Sequence, residues 1–233
     1  MRMPAQLVER ARAIVYGGDW TPPSARPAST LVLLRDADGL QVALLQRATT
    51  LAFARDMYVF PGGALDAADA DLGDPWLVAA IRETFEECGV LLTRPAPPAE
   101  VADLRDRDFA QVLAMWAAVP DVQALHPFAH WVTPEVETRR YDTRFYAAAL
   151  PAGQDLASFT TEHQNVGWYT PAGAQDLPML PPTAAVLAEL AQFDTVADVL
   201  AVRRDPVPIM PHPVARDGDV AWILVDARTG RRL

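Results

Sequence analysis

The stretch from Phe60 to Val90 constrains the fold of this chain more than any other. It opens with Phe60-Pro61-Gly62-Gly63 and closes with Arg82-Glu83-Thr84-Phe85-Glu86-Glu87-Cys88-Gly89-Val90. Asp74-Pro75 predicts a helix start, because Asp accepts backbone N–H bonds as an N-cap and Pro is tolerated at the first helical position. Gly89 suits the left-handed position just past a helix end. At about 100° per residue, Leu77, Ile81, Thr84, Phe85 and Cys88 share one mostly apolar stripe, which predicts a core face. Glu83, Glu86 and Glu87 fall on the opposite side, three carboxylates on adjacent turns.

That placement costs the helix stability. Negative charge is disfavoured in a last turn, where unpaired carbonyls carry the negative end of the dipole. Like charges held ~6 Å apart at an effective dielectric near 20 repel by roughly 3 kcal/mol. Arg82 reaches Glu86 and relieves part of this, although Arg before Glu is the weaker order for such a pair. A solvated face explains most acidic helices. Here the local chemistry argues against stability as the reason for the acids, and a bound divalent cation would turn their repulsion into binding energy. Hard oxygen ligands with water completing the shell suit Mg²⁺ or Mn²⁺.

Residues 82–90 resemble the core of the nudix box, Arg-Glu-U-x-Glu-Glu-x-Gly-U with U a bulky apolar residue, and Gly62-Gly63 matches the glycine pair before it. Thr84 is a mild departure at the first U. The resemblance implies a loop–helix–loop that binds divalent metal for hydrolysis of a diphosphate linked to another moiety. It implies Glu86 and Glu87 as metal ligands, Glu83 as a ligand or the base that activates water, the Gly62 carbonyl as a further ligand, and Arg82 as the residue that orients the carboxylates. Gly63 and Arg82 are 19 positions apart, five more than is usual for the motif. The glutamate usually found between them is absent, and Asp74, with Asp66, Asp69 and Asp71 nearby, is what the chain offers instead.

Wider phrases, from Leu44 through Asp71 and from His130 through Gln154, resemble a nudix branch that includes mammalian coenzyme A diphosphatases. The fold implied is a nudix α/β/α sandwich with a mixed sheet, and the activity implied is hydrolysis of the pyrophosphate bond of coenzyme A or an acyl-coenzyme A. Two other readings stay open: a pyrophosphatase acting on ADP-ribose, NADH or a related compound, and a nudix-fold sensor that binds nucleotide without turnover. Retention of all three box glutamates speaks against the sensor.

With 51% hydrophobic residues in 233, the chain can bury one good core. We expect one domain, 1–233, with an N-terminal helical arm at about 4–16 and a helical insertion at about 99–119 carrying Leu104, Phe109, Leu113 and Trp116 on one face. Net charge is −10, and every Lys-or-Arg position is Arg. An acidic surface opposes binding to nucleic-acid backbones, so a small-molecule nucleotide is the expected partner. The single cysteine, Cys88, excludes an internal disulfide and fits a reducing compartment. The first residues lack the apolar core of a signal peptide, and no run is long enough to span a bilayer, so the cytoplasm is expected.

Ser29–Arg35 and Gln41–Arg47 read as strands joined at Asp36-Ala37-Asp38-Gly39, a hairpin that places Arg47 beyond the second strand. Arg47 and Arg55 are candidates for a substrate phosphate. Tyr141, Thr143, Phe145 and Ala147 alternate as one strand face, with Asp142, Arg144 and Tyr146 on the other. Arg139, Arg140 and Arg144 form the densest basic cluster, and Arg140 and Arg144 are assigned to substrate phosphates by charge-assisted bonds. Glu162, in a polar loop before a strand at Val166–Tyr169, is the candidate for a further catalytic carboxylate, which many nudix enzymes place in such a loop. Thr183 is the expected N-cap of a helix at 184–192, and Thr195–Asp198 has the form of a capping box. The Pro-rich stretch Pro206–Pro213 reads as a connection to a last strand, Val220–Val225. These late elements read as scaffold, or as contacts for a homodimer.

Overall fold

The computed structural model describes residues 5–47, 56–98, 101–157 and 163–233. In chain order the elements are α1 (Ala5–Tyr16), β1 (Arg26–Asp36), β2 (Leu40–Arg47), β3 (Tyr58–Val59), β4 (Gly62–Ala64), α2 (Asp69–Leu72) and α3 (Pro75–Cys88). There follow β5 (Thr93–Arg94), α4 (Phe109–Ala114), β6 (Val119–Pro120), β7 (His126–Val132), β8 (Tyr141–Ala149) and β9 (His163–Tyr169). The chain ends with α5 (Pro181–Leu190), α6 (Val196–Ala201), β10 (Ile209–Arg216) and β11 (Asp219–Asp226). These pack as two compact units.

The larger unit comprises Ala28–Phe128 and Arg144–Asp205. Its sheet is built on the β1–β2 hairpin, in register Leu34↔Val42, and the turn is made by Asp38 and Gly39, both at positive φ. β2 pairs antiparallel with both β3 and β9. β4 pairs antiparallel with β1, Ser29 opposite Gly63 and Thr30 opposite Gly62. Alternate residues Leu31 and Leu33, Ala43 and Leu45, and Tyr146 and Ala148 face one core with Ile81, Phe85 and Cys88 of α3. The intervening Val32, Leu34, Val42 and Leu44 are equally buried, so both faces of these strands are covered. That is why β1 reads as a continuous apolar run and not as an alternation. Each buried Leu or Phe contributes about 1.5–3 kcal/mol, and Phe85 reaches Phe109 across this core.

The capping signals of α3 act as the sequence predicts. Asp74 Oδ1 accepts the Trp76 N–H at 2.9 Å, Pro75 is the first helical residue, and Gly89 adopts φ 70° while its N–H bonds to the Phe85 carbonyl. Thr84, the departure from the box pattern, is fully buried and gives its hydroxyl to the Ala80 carbonyl at 2.7 Å, which satisfies the polar group without a partner from outside the helix.

Three expectations are corrected. Residues 99–119 do not form one helix: Val101–Leu104 is a 3₁₀ turn, α4 is short, and the segment ends in β6 paired with β5. Asp108 caps α4 through the Gln111 N–H and so divides the two pieces. Thr183 does not cap α5, which begins at Pro181 after Leu180, so Thr183 is buried inside the helix. The Pro-rich stretch is the strand β10 for much of its length, not a connection. Thr195 and Asp198 do meet, the Thr195 hydroxyl accepting the Asp198 N–H and donating to its carboxylate.

The smaller unit draws on Met1–Pro27, Ala129–Thr143 and Pro206–Leu233. β10 and β11 form its hairpin, with Pro211 opposite Leu224 and Pro213 opposite Trp222. Prolines at alternate positions remove N–H donors from one edge of a strand. The parallel pairing of β10 with β7 is accordingly confined to Ile209↔Trp131, whereas the other edge pairs along its length with β11. Val132, Met210 and Val225 form a small core here. No helix among the described residues is long and apolar enough to cross a membrane.

Candidate active site

β4 lies against α3, and this brings the Gly62-Gly63 turn to the acidic face of the helix. The Gly62 N–H donates to Glu87 Oε2 at 2.8 Å. At Gly63, an added Cβ would lie 2.5 Å from the Glu83 carboxylate carbon, so the bare glycine backbone is the surface on which that carboxylate rests. At Gly62 an added Cβ would instead strike the partner strand, 2.4 Å from the Ser29 carbonyl oxygen. Adjacent glycines thus serve different ends: Gly62 lets β4 approach β1, and Gly63 makes room for Glu83.

Arg82 holds the acids from the other side. Its Nη1 donates to Glu83 Oε1 at 2.8 Å and to Glu86 Oε2 at 3.3 Å. Its Nε and Nη2 grip the two oxygens of Asp69 at 2.9 and 3.0 Å, and Nη2 also donates to the Ala64 carbonyl. Side-chain exposure rises from 2% at Asp69 through 16% at Glu83 to 39% at Glu86. The constellation is therefore anchored at its buried end and open at the other.

Electrostatics follow the same gradient. Burial raises the Glu86 pKa, Arg82 opposes the rise, and the neighbouring Glu83 charge adds to it. Burial alone would lower the Arg82 pKa, but Asp69 and Glu83 outweigh it and hold the guanidinium charged. Cys88, buried and next to Glu87, has its thiol pKa pushed well up, first by burial, and is a core side chain in this environment.

Among the described residues, no three His, Cys, Asp or Glu side chains are gathered as a finished ion site. The donor set nonetheless has the chemistry that a hard divalent cation takes: three carboxylates and a main-chain carbonyl on a turn that leaves no room for side chains.

The structure thus brings together Gly62, Arg82, Glu83, Glu86 and Glu87. Arg144 lies elsewhere, its guanidinium stacked 3.9 Å from the Trp76 ring at the start of α3. At 1.5 Å rise per residue that is ~10 Å along the helix from Glu83. Tyr146, on the same strand face as Arg144, is buried in the core against α3 and does not turn outward. Arg140, in the smaller unit, spends its guanidinium on the carbonyls of Thr133 and Pro23 and on Met210 Sδ. Arg47 ends β2, where its N–H bonds to the Met57 carbonyl. Glu162 and Arg55 lie outside the described residues. Sequence reasoning listed Asp69 only as one of several acids. No local pattern separates it from Asp66, Asp71 and Asp74, because its grip on Arg82 follows from where the short helix Asp69–Leu72 folds back.

A family model described as the NUDT19 Nudix domain matches residues 75–179. The human acyl-coenzyme A diphosphatase NUDT19 is 28% identical over an alignment that covers 82% of this chain and 70% of that protein. The Gallus gallus protein of the same name is 26% identical, over 68% of this chain and 63% of its own length. A nudix hydrolase from Alicyclobacillus acidocaldarius has a crystal structure that superposes with a TM-score of 0.67, at 28% identity, over 77% of this chain and 97% of that one. The fold, the box and these relatives identify the chain as a nudix hydrolase. Within that family it resembles the acyl-coenzyme A diphosphatase branch.

Proposed function

We propose that this hydrolase cleaves the pyrophosphate bond of coenzyme A or an acyl-coenzyme A, releasing 3′,5′-ADP and 4′-phosphopantetheine or its acylated form. The observation that carries the reading is the placement of Glu83 and Glu87 against Gly62-Gly63, with Glu86 tied to Glu83 through Arg82, in a chain whose relatives include acyl-coenzyme A diphosphatases. Glu86, Glu87 and the Gly62 carbonyl would hold Mg²⁺ or Mn²⁺, with Glu83 either completing that set or taking the proton from the attacking water. A divalent cation bound there supplies charge neutralisation of the diphosphate and acidification of water. Glu83, pressed between Gly63 and Arg82, is fixed in place for proton transfer at its carboxylate oxygen. Arg82, held charged by its acidic partners, keeps Glu83 and Glu86 oriented. Of the arginines assigned to substrate, Arg47 and Arg144 are retained for the phosphates of the nucleotide, since the stack of Arg144 on the Trp76 ring engages the face of the guanidinium and not its N–H edge. Arg140 is set aside, because the Thr133 and Pro23 carbonyls take its donors. Glu162 is kept as a second candidate base.

The test is a hydrolysis panel of coenzyme A, acyl esters, ADP-ribose, NADH and dinucleoside polyphosphates with Mg²⁺ and Mn²⁺. Coenzyme A or an acyl ester should be the best substrate. E83Q and E86Q should each lose at least ~10²-fold in turnover, the scale of removing a general base or metal ligand. Preference for ADP-ribose or NADH would move the substrate assignment. Full activity in both variants would end the assignment of roles, and binding of nucleotide without turnover of any compound would favour a sensor.

A further inference from the structure

We propose that Gln154 is a positioning residue for the box: from the loop after β8 it closes the last turn of α3, the turn that carries Glu86 and Glu87. The inference rests on the reading of those glutamates as cation-binding groups. The Gln154 side-chain amide lies against the main chain of Leu91, just past the end of α3. Its Oε1 accepts the Leu91 N–H and its Nε2 donates to the Leu91 carbonyl, both at 2.8 Å. Leu91 is fully buried, so water offers its main chain no ready substitute. From the same loop, the Ala157 N–H donates to the Cys88 carbonyl at 2.8 Å. That carbonyl belongs to the last four of the helix, which have no partner within it.

The last turn of α3 needs such a closure more than most. Its glutamates add negative charge where the helix dipole is already negative, and they repel one another while no cation is bound. Both effects favour opening of the turn, which would carry Glu86 and Glu87 away from Gly62-Gly63. A cation would then have to close it again, at a cost to its affinity. A glutamine amide holds a donor and an acceptor in one plane, so Gln154 makes to Leu91 the two bonds that a neighbouring strand residue would make. The loop can act as a clamp because it is itself held from the other side. Asp155, next to Gln154, accepts the Trp168 indole N–H of β9 at 2.7 Å and Arg35 Nη1 of β1 at 3.4 Å. Gln154 thus ties the exit of the box helix to the sheet.

The experiment measures Mn²⁺ binding to the full chain without substrate, by electron paramagnetic resonance, and amide hydrogen exchange over residues 86–91 with and without Mn²⁺. The variants are Q154A, E86Q and T195A, the last removing the α6 cap as a control for lost stability. Q154A should weaken Mn²⁺ binding about tenfold, as expected when roughly a tenth of the molecules keep the turn closed. Exchange over 86–91 should quicken by at least about tenfold without metal and return to the parent rate at saturating Mn²⁺. Under that saturation, kcat and KM for coenzyme A should match those of the parent. T195A should lower the urea midpoint and leave Mn²⁺ binding and exchange over 86–91 unchanged. Unchanged Mn²⁺ binding or exchange in Q154A overturns the proposal, as does an equal effect of T195A or a loss of kcat that saturating Mn²⁺ does not restore. If Q154A fails to fold, Q154E decides, since it keeps an acceptor for the Leu91 N–H and loses the donor to its carbonyl. Faster exchange over 86–91 that Mn²⁺ reverses supports the proposal, and protection equal to the parent's overturns it. An E86Q variant that binds Mn²⁺ like the parent removes the underlying ligand reading. E86Q weakened with Q154A unaffected removes only the role of Gln154.

Discussion

Replacing Gly63 with Ala should separate catalysis from stability in this fold. The new Cβ would lie 2.5 Å from Cδ and Oε1 of Glu83 and 2.6 Å from Oε2. Non-bonded heavy atoms prefer about 3.5–4.0 Å, so the carboxylate must retreat by roughly 1 Å or more. The colliding atoms sit at the end of a rotatable side chain, and no backbone needs to move. A misplacement of ~1 Å in a reacting group costs on the order of 10² in rate, so we expect turnover to fall about 100-fold. The thermal midpoint should stay within roughly 2 °C, the equivalent of ~1 kcal/mol or less for a chain of this size. G62A is the counterpart. Its Cβ would meet the Ser29 carbonyl oxygen at 2.4 Å and Thr30 Cα at 2.8 Å, both backbone atoms of the paired strand. Overpacking of that kind costs about 1–3 kcal/mol, or roughly 2–12 °C in midpoint. The assay is steady-state hydrolysis of coenzyme A at saturating Mn²⁺, paired with thermal unfolding of each variant. Turnover of G63A within about threefold of the parent, or a G63A midpoint as low as that of G62A, would refute the reasoning.

Removing the α3 cap with D74A deletes the acceptor for the Trp76 N–H and should cost about 1 kcal/mol, seen as a midpoint lowered by roughly 2–4 °C. G89A combines a left-handed φ of 70° with a Cβ 2.9 Å from Ala102 Cβ and 3.0 Å from Ala157 Cβ. It should therefore lower the urea midpoint by the equivalent of at least ~2 kcal/mol, with an unchanged m-value. Asp155 accepts the Trp168 indole N–H at 2.7 Å, and this bond, helped by the Leu156 N–H and Arg35, holds its pKa below the usual carboxylate range. A depressed folded-state pKa means stability that is present above the unfolded pKa and lost as pH falls through the folded one. The gap in midpoint between parent and D155N should accordingly shrink from about pH 7 to about pH 3, and a gap that is constant or widens on acidification would contradict the assignment.

The parts of this fold that were legible in the sequence are those set by local chemistry. Asp74-Pro75 and Gly89 specify the ends of α3 through their own backbone preferences. The β1–β2 hairpin follows from a polar turn with Gly39 between two apolar runs. The acidic face was legible because three glutamates in a last turn are unfavourable without a counter-charge. Asp69 could not be singled out in advance, because its role depends on where α2 folds back and not on its neighbours in sequence. The surroundings of Arg140 and Arg144 were not legible for a related reason: charge density on a strand says nothing of whether a Trp76 ring or a Pro23 carbonyl waits beside each guanidinium. Strand β10 was hidden by prolines, which forbid a central strand only when both edges need donors. The segment 99–119 has apolar residues near helical spacing, but Asp108 interrupts it with a cap of its own.

The smaller unit has a consequence for how the protein can be made. Its α1 docks on β10 and β11, Arg10 Nη1 donates to the Val136 carbonyl and Arg140 Nη1 to that of Pro23, so its three stretches of chain interlock. During synthesis, the first helix and the central turn must wait for the final hairpin to leave the ribosome before that unit can close. The larger unit, whose last residue is Asp205, has no such delay. A nascent chain with β10 and β11 still inside the ribosome and Asp205 already outside would present the larger unit assembled and α1 still open to protease.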